Sequence, residues 1–230
     1  MGTHYKIVGG WLVITLLALG ALPASAGIAP VNKSVAATQG PWLYTVGGLN
    51  SAFQYGVGDA TAPTIISSAD GLAFTPGSTL SVQYLGGTVS GHPATVPFTD
   101  ANGDTSNAVN NTLEPTGGKF PSFYFNSADY PANADELVGT FADSSGQIVG
   151  TPFNVGDSRS LTVPAGATRL QLGINDAFFS DNAGSFNLGI SGTAPATSGV
   201  PLPSAAWPAL AVIGGIGLVF AIRRSGRPAM

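Results

Sequence analysis

The stretch that decides the fold is RLQLGINDAFFSDNAGSFNLGI, which runs from Arg169 to Ile190. Apolar residues alternate with polar or small residues on both sides of its centre, which indicates two β-strands with one apolar face each. The alternating apolar positions are Leu170, Leu172, Ile174, Phe186, Leu188 and Ile190. Between them lies a polar segment, Asn175–Gly184, which predicts a loop longer than a simple hairpin requires.

The same period-two alternation recurs along the chain. It places strands at Leu80–Tyr84 and Leu161–Val163, and a hairpin of Leu137–Phe141 with Gln147–Thr151. The fold class predicted is all-β, an antiparallel β-sandwich with one solvated face on each sheet. The segment from His92 to Ala134 is predicted to be irregular, with one strand near Ser122–Phe125.

Composition agrees with many short strands joined by turns. The chain has 230 residues, 32 glycines, 17 prolines and no cysteine. Its length suits one domain with appendages. The lack of cysteine rules out disulfides, thiol nucleophiles and thiolate metal sites.

Residues 1–26 have the pattern of a secretory signal peptide. A cationic start precedes the apolar run Ile7–Leu22, and the small residues A-S-A end at Ala26, after which we predict cleavage. A signal helix retained as an anchor is the alternative. The working domain predicted is therefore residues 27–196.

Residues 197–230 form a three-part tail. The apolar run 205–222 would span about 27 Å as a helix, close to a bilayer core of about 30 Å. The flanking motifs are Val200, Pro201, Leu202 and Pro203 on one side and Arg223 and Arg224 on the other. This order resembles the PEP-CTERM sorting signal in its VPLP variant. The resemblance implies export by a Gram-negative bacterium, transient anchoring in the inner membrane and processing by an exosortase, often beside exopolysaccharide. A plain single-pass anchor is the alternative.

The working domain is acidic. It contains all 12 acidic residues of the chain, and its basic residues are Lys33, Lys119, Arg159 and Arg169. A surface of this charge repels nucleic acid, because phosphate binding requires basic patches. It suits cations and neutral ligands.

The loop Asn175–Gly184 gathers hard oxygen donors. Asp176 and Asp181 offer carboxylates, Asn182 and Asn175 offer amide oxygens, and a carbonyl near Phe178 or Phe179 adds another. Ca²⁺ takes six to eight such oxygens at about 2.3–2.6 Å. A solvated turn is the alternative, because Asp and Asn cap turns without binding an ion.

Three runs resemble the PA-IL type of bacterial galactophilic lectin, in the same order. They are TPGSTLSVQYLGG (75–87), ELVGTFADSSGQIVGTPFNVG (136–156) and VPAGATRLQLGIND followed by DNAGSF (163–186). The resemblance implies a jelly-roll related to galactose-binding domains, in which one Ca²⁺ coordinates two sugar hydroxyls. Carried over residue by residue, it implies as metal ligands Asp176, Asp181, Asn182 and the carbonyls of Phe178 and Ser90.

The chain departs from that family in two ways. The loop is two residues shorter, and Asp181 stands where the family has Asn, which adds negative charge. No His precedes Glu136 where the family contributes a sugar-binding His, so we expect His92 to be an exposed loop residue. The ligand-binding residues predicted are Asp176, Asp181 and the aromatic Phe179.

Other motifs give weaker signals of function. Asp100, Asn102 and Asp104 have the spacing of half a calcium loop but lack its later glutamate, so we predict a turn, with a second ion as the alternative. No nucleophile elbow lies near His92, no glycine-rich phosphate cradle is visible, and the working domain has no second histidine. We therefore predict a non-enzyme, a calcium-dependent carbohydrate-binding protein of the cell surface or matrix. A structural matrix protein and a carboxylate-based glycoside hydrolase are the alternatives.

Overall fold

The computed structural model describes residues 30–109 and 118–193, and these residues form a β-rich fold. Ten strands are present in them: β1 Val31–Ala36, β2 Thr64–Ser67, β3 Thr79–Ser90, β4 Asp104–Ala108, β5 Asn133–Ala134, β6 Leu137–Ala142, β7 Ile148–Asn154, β8 Ser158–Thr162, β9 Arg169–Ile174 and β10 Ala183–Thr193. Four short 3₁₀ turns lie between strands, at Ser51–Phe53, Ser68–Asp70, Pro121–Tyr124 and Ser127–Asp129. Within the described ranges, no helix has the length and apolarity needed to cross a bilayer.

Two antiparallel four-stranded sheets make the body of the fold. Sheet I has the order β1-β10-β3-β8 and sheet II the order β2-β9-β6-β7, while β4 and β5 pair as a separate ribbon. All strand pairs are antiparallel. The predicted antiparallel β-sandwich is therefore confirmed, and so are the strands expected from alternation around Leu80, Leu161, Leu170 and Phe186.

The core lies between the inward faces of the two sheets. Fully buried side chains from sheet I include Leu80, Val82, Phe186, Leu188 and Ile190. Their partners from sheet II include Ile66, Leu137, Leu170, Leu172 and Ile174. Each such side chain contributes about 1.5–3 kcal/mol relative to an exposed one, so a domain without cysteine has a substantial core to stabilise it.

The prediction of one solvated face per sheet holds for sheet I and is wrong for the centre of sheet II. Every residue of β6 is buried, including Thr140 on the face away from the core. Segments of chain outside the two sheets cover that outer face. Val138 packs with Phe125 and Ala132, while the side chain of Asn50 holds its own loop against the hairpin of β6 and β7 through Gly146 and Ile148.

The segment 92–134 differs from the prediction in detail. Residues Pro121–Tyr124 form a 3₁₀ turn instead of the strand expected at Ser122–Phe125. Proline suits the first position of this turn, because its φ is fixed near the helical value and it has no N–H group to leave unpaired. The ribbon of β4 and β5 was not predicted, because the burial of β4 follows no alternation.

The signal peptide predicted at 1–26 and the tail predicted at 197–230 lie outside the described residues. The same is true of the cleavage position Ala26, the sorting motif Val200–Pro203, the apolar span 205–222 and the pair Arg223 and Arg224. These parts stay predictions from the sequence.

Candidate cation site

Strand register brings three separate segments to one end of the sandwich. Ser90 at the end of β3 pairs with Ala183 at the start of β10, and Leu137 at the start of β6 pairs with Ile174 at the end of β9. The chain after β3, the chain before β6 and the loop from β9 to β10 therefore meet. The polar loop identified from the sequence lies at this junction.

Asn175 joins two of these segments. It is fully buried, its Oδ1 accepts a hydrogen bond from the Ser122 N–H (2.9 Å), and its Nδ2 donates to the Asn133 carbonyl (2.8 Å). Its backbone N–H donates to the Glu136 carbonyl (2.9 Å). The Asn175 side chain therefore ties the loop to the segments around Ser122 and Asn133, and the binding of an ion by its amide oxygen stays a prediction.

Asp176 presents one free carboxylate oxygen. Its Oδ1 accepts hydrogen bonds from the N–H groups of Ala177 (2.6 Å) and Phe178 (3.3 Å). Its Oδ2 is buried and has no hydrogen-bond partner. Burial first, and the neighbouring charge of Asp135 second, raise the pKa of Asp176 to about 7, against an opposing contribution from the Asn182 amide.

Asp181 and Asn182 add two more buried oxygens without partners, Asp181 Oδ1 and Asn182 Oδ1. The Asn182 Nδ2 donates to the Ala37 carbonyl (3.0 Å), which fixes the orientation of the amide. The other carboxylate oxygen of Asp181, Oδ2, lies 3.9 Å from His92 Nε2. A buried polar atom without a partner costs free energy unless something absent from the protein chain satisfies it.

An open cavity of about 250 Å³ lies against these groups, and we call it the acidic cavity. Its polar lining is Asp104, Asp135, Asp176, Asp181, His92 and Asn107. Its remaining lining is Gly91, Val96, Phe120, Ala134 and Phe178. Four carboxylates on one cavity of this size repel one another in the absence of a counterion.

Gly91 lies at the contact between the carboxylates. A methyl group placed on its Cα would lie 2.7 Å from Asp135 Oδ1 and 3.0 Å from Asp176 Oδ2. The two carboxylate oxygens, which come from different segments, therefore approach the Gly91 backbone so closely that a side chain at this position would displace them.

The basic residues within the described ranges make their contacts elsewhere. Lys33 pairs with Asp70 (2.7 Å), and Arg159 pairs with Asp129 (2.5 Å). Arg169 donates to the Ser144 carbonyl, and the Lys119 ammonium lies 4.3 Å above the Phe123 ring. No Lys or Arg among the described residues lines the acidic cavity, so its carboxylates have no cationic side chain opposite them there.

Among the described residues, no group of three or more His, Cys, Asp or Glu side chains is placed to hold a metal ion. Ca²⁺ also takes amide oxygens, carbonyls and water, and the unpartnered Asn182 Oδ1 is such an oxygen. The two predicted carbonyl ligands are close by, since Phe178 lines the cavity and Ser90 directly precedes Gly91. Their role as ligands stays a prediction.

The two neighbouring phenylalanines have opposite environments. Phe179 is 0% exposed and its ring packs against Tyr55 at 5.7 Å between centroids. It has no face for a ligand, which corrects the prediction that Phe179 contacts one. Phe178 is 44% exposed and borders the acidic cavity, so it is the aromatic ring available there.

His92 is exposed, as expected, with its Nδ1 2.7 Å from the Thr95 hydroxyl. The structure also places it on the rim of the acidic cavity, which its position in the sequence did not predict. The turn predicted at Asp100–Asp104 is confirmed, because Asp100 Oδ1 and the Asp100 carbonyl accept hydrogen bonds from Asn102 and Gly103. Asp104 itself belongs to the acidic cavity.

Two acidic residues that line the acidic cavity or anchor its loop were not predicted from the sequence. Asp135 lines the cavity from the segment before β6. Asp59 lies outside it, and its Oδ2 accepts hydrogen bonds from the N–H groups of Phe179 (2.9 Å) and Ser180 (2.8 Å). Asp59 thus anchors the far side of the loop. Neither residue stands in a local motif, so only the long-range strand pairing reveals them.

Comparisons with known proteins define no family for this chain. No protein-family model matches it, and no curated protein matches it. Among solved structures, AJLec from the sea anemone Anthopleura japonica is similar at 14% identity, over 67% of this chain and 98% of that one, with a TM-score of 0.23. A TM-score this low does not establish a common fold.

Proposed function

We propose that this chain is an exported, non-catalytic protein that binds Ca²⁺ in the acidic cavity and binds carbohydrate, of the exopolysaccharide class, through that ion. The observation that carries the proposal is the group of three buried and unpartnered oxygens on one loop, Asp176 Oδ2, Asp181 Oδ1 and Asn182 Oδ1. These are oxygens that a hard divalent cation takes as ligands. Without such an ion each of them carries an unmet desolvation cost.

The carbohydrate half of the proposal is supported by what surrounds the ion position. The cavity is open, so a cation within it can keep coordination positions for external hydroxyl groups. Phe178 offers an exposed aromatic ring, and Asn107 and His92 offer polar groups on the same lining. Aromatic rings and a few convergent polar groups are the usual features of a small-ligand site. The resemblance to galactophilic lectins in the sequence points to the same ligand class.

The finer features of the proposal come from the sequence. The sandwich is, on this proposal, a jelly-roll of the galactose-binding-like type. The signal peptide at 1–26 directs export, and the PEP-CTERM-type tail at 197–230 anchors the chain in the inner membrane of a Gram-negative bacterium until an exosortase acts on it. The domain is then displayed at the cell surface or in the extracellular matrix. The acidic domain binds no nucleic acid.

The test uses the full chain in mild detergent and its variant Asp176→Ala. Isothermal titration with Ca²⁺ after treatment with EDTA is expected to give saturable binding by the wild type and none by the variant. A glycan array in Ca²⁺ is then expected to show binding that EDTA and Asp176→Ala both abolish. Asp157→Ala, which removes an exposed carboxylate outside the cavity, is the matched control.

The results separate the alternatives. Glycan binding that survives in EDTA would rule out a sugar held through the ion. Ca²⁺ binding without glycan binding would favour the structural matrix protein, in which the ion only joins the three segments. The absence of Ca²⁺ binding by the wild type would overturn the proposal as a whole.

A further inference from the structure

We infer that strand β8 pairs antiparallel with β8 of a second copy of this chain, so that sheet I continues across a two-fold axis. The inference goes beyond the proposed function, because none of the contacts that carry it belongs to the acidic cavity. The surface concerned is the outer edge of β8, the last strand of sheet I. It differs from the edges of the other three outer strands, β1, β2 and β7.

The backbone groups on the outer edge of β8 are free. In an antiparallel pair, alternate residues of a strand bond to the neighbouring strand. Just before β8, the Asp157 carbonyl accepts a hydrogen bond from the Tyr84 N–H (2.8 Å), and just after it, the Val163 N–H donates to Ser78 (2.9 Å). The alternate residues between these two therefore bond to β3, and the others direct their N–H and C=O groups outward. Within the described residues, no hydrogen bond engages the outward backbone groups of Ser158, Ser160 and Thr162.

The edge of β1, on the other side of sheet I, is closed by side chains. The Ala36 N–H donates to Gln39 Oε1 (2.7 Å). The Ser34 carbonyl accepts a hydrogen bond from the Thr64 hydroxyl (2.8 Å). Side chains of the same chain thus occupy the backbone groups that a further strand would need.

Both edges of sheet II are closed as well. On β7, the Ile148 N–H donates to Asn50 Oδ1 (3.0 Å), and Pro152 has no N–H to offer. Strand β2 has four residues, and the N–H of its last residue, Ser67, donates to Asp70 Oδ2 (2.9 Å). Proteins commonly protect exposed strand edges in these ways, and β8 lacks such protection.

There is room for a further strand beside β8. An open cavity of about 320 Å³ lies between β8 and β7, which are the edge strands of the two sheets on this side. Its lining includes Phe141, Phe153, Ser160, Leu161 and Thr162. An added strand would therefore find free backbone groups beside an apolar floor, which is the usual arrangement for β-strand addition.

The chemistry of β8 favours its own copy as the partner. A two-fold axis at Ser160 would set this residue opposite itself, and Ser158 opposite Thr162 of the partner subunit. The outward side chains are uncharged hydroxyls, and the charged residue of the strand, Arg159, already pairs with Asp129 (2.5 Å). The pairing therefore opposes no like charges, although the acidic surface of the domain makes two copies repel elsewhere.

Disulfide crosslinking tests the pairing, because the chain has no cysteine of its own. In Ser160→Cys, a disulfide can only join two copies, and opposed residues about 5.5 Å apart at Cα suit its geometry. The full chain in mild detergent is oxidised with diamide, and the dimer is measured on a non-reducing gel. We expect about tenfold more dimer than in Ser34→Cys, which places the thiol at an exposed serine on the closed edge of the same sheet.

A second substitution removes a backbone donor from the edge. Thr162→Pro, added to Ser160→Cys, deletes an N–H group that β8 does not use within its own sheet, so the fold should be kept. Thermal unfolding checks the fold, and the dimer should fall to the level of the control.

Three results would overturn the inference. They are dimer at the control level in Ser160→Cys, dimer unchanged by Thr162→Pro in a folded protein, and a thiol at position 160 that resists maleimide in the monomer. The last result would show that another segment of the chain covers the edge. None of these results bears on Ca²⁺ or glycan binding, so the proposed function is tested separately.

Discussion

The substitution Gly91→Ala tests whether the carboxylates beside Gly91 bind an ion, because the added methyl group would displace them. The new methyl group would lie 2.7 Å from Asp135 Oδ1 and 3.0 Å from Asp176 Oδ2. Ordinary contacts between carbon and oxygen are longer, so both oxygens would have to move by several tenths of an ångström. Gly91 itself has no left-handed φ, so alanine fits its backbone and the fold should survive.

The size of the effect follows from mass action. A site with Kd of about 10 μM, at the weak end of the range of calcium sensors, stabilises the fold by about 2.7 kcal/mol in 1 mM Ca²⁺. For a domain of this length that corresponds to a rise in Tm of about 5–11 °C. A hundredfold loss of affinity in Gly91→Ala would leave about 0.4 kcal/mol, or a rise of about 1–2 °C.

The assay is thermal unfolding followed by tryptophan fluorescence, in EDTA and in 1 mM Ca²⁺, because Trp42 lies fully buried in the core. Gly189→Ala is the matched control, since the nearest atoms to its methyl group would be those of the exposed Leu85 side chain, at 3.3 Å or more. It should keep the full calcium-dependent rise. If Gly91→Ala keeps a rise of 5 °C or more, the carboxylates beside Gly91 do not bind the ion and the reasoning is refuted.

Two further predictions concern aromatic residues and pH. Phe178→Ala should weaken glycan binding about tenfold without changing Ca²⁺ affinity or Tm. Phe179→Ala should instead lower the free energy of unfolding by about 3–5 kcal/mol, because it empties a fully buried position. Glycan titration and denaturant unfolding distinguish the two variants, and equal effects of both would contradict the environments assigned to the two rings. Burial raises the pKa of Glu136 to about 7 from 4.5. The folded state therefore holds the Glu136 proton more tightly than the unfolded state does, and the free energy of unfolding in EDTA should fall as pH rises from about 4.5 to 7. Unfolding by urea across that range should show a fall that is smaller in Glu136→Gln, and an identical fall in both proteins would exclude Glu136 as its source.

The sandwich was predictable because its signal is local. Leu80, Leu170, Phe186 and their alternating neighbours each face the core, and period-two patterns report that directly. The edge strand β2 has only four residues, Thr64–Ser67, which is too few for alternation to stand out. The covered outer face of sheet II was also unpredictable, because it depends on where distant loops such as the one at Asn50 come to lie.

The candidate site was predictable in part for the same reason. Asp176, Asp181 and Asn182 fall within one short loop, so their spacing was visible in the sequence. Asp135 joins them only through the pairing of β6 with β9, and Asp59 reaches the loop from a position 120 residues away. The sequence did not indicate that Phe178 would be exposed and Phe179 buried, because both belong to one irregular loop.

Strand β10 runs from the end of the domain that holds the acidic cavity to the opposite end. β10 starts at the acidic cavity with Ala183 and runs eleven residues to Thr193, a distance of about 35 Å at the usual rise per residue. Val31, at the start of β1, pairs with Ile190 near that far end. Both ends of the described sandwich therefore leave it opposite the cavity. A domain tethered through residues beyond Thr193 would hold its cavity away from the point of attachment, facing the medium.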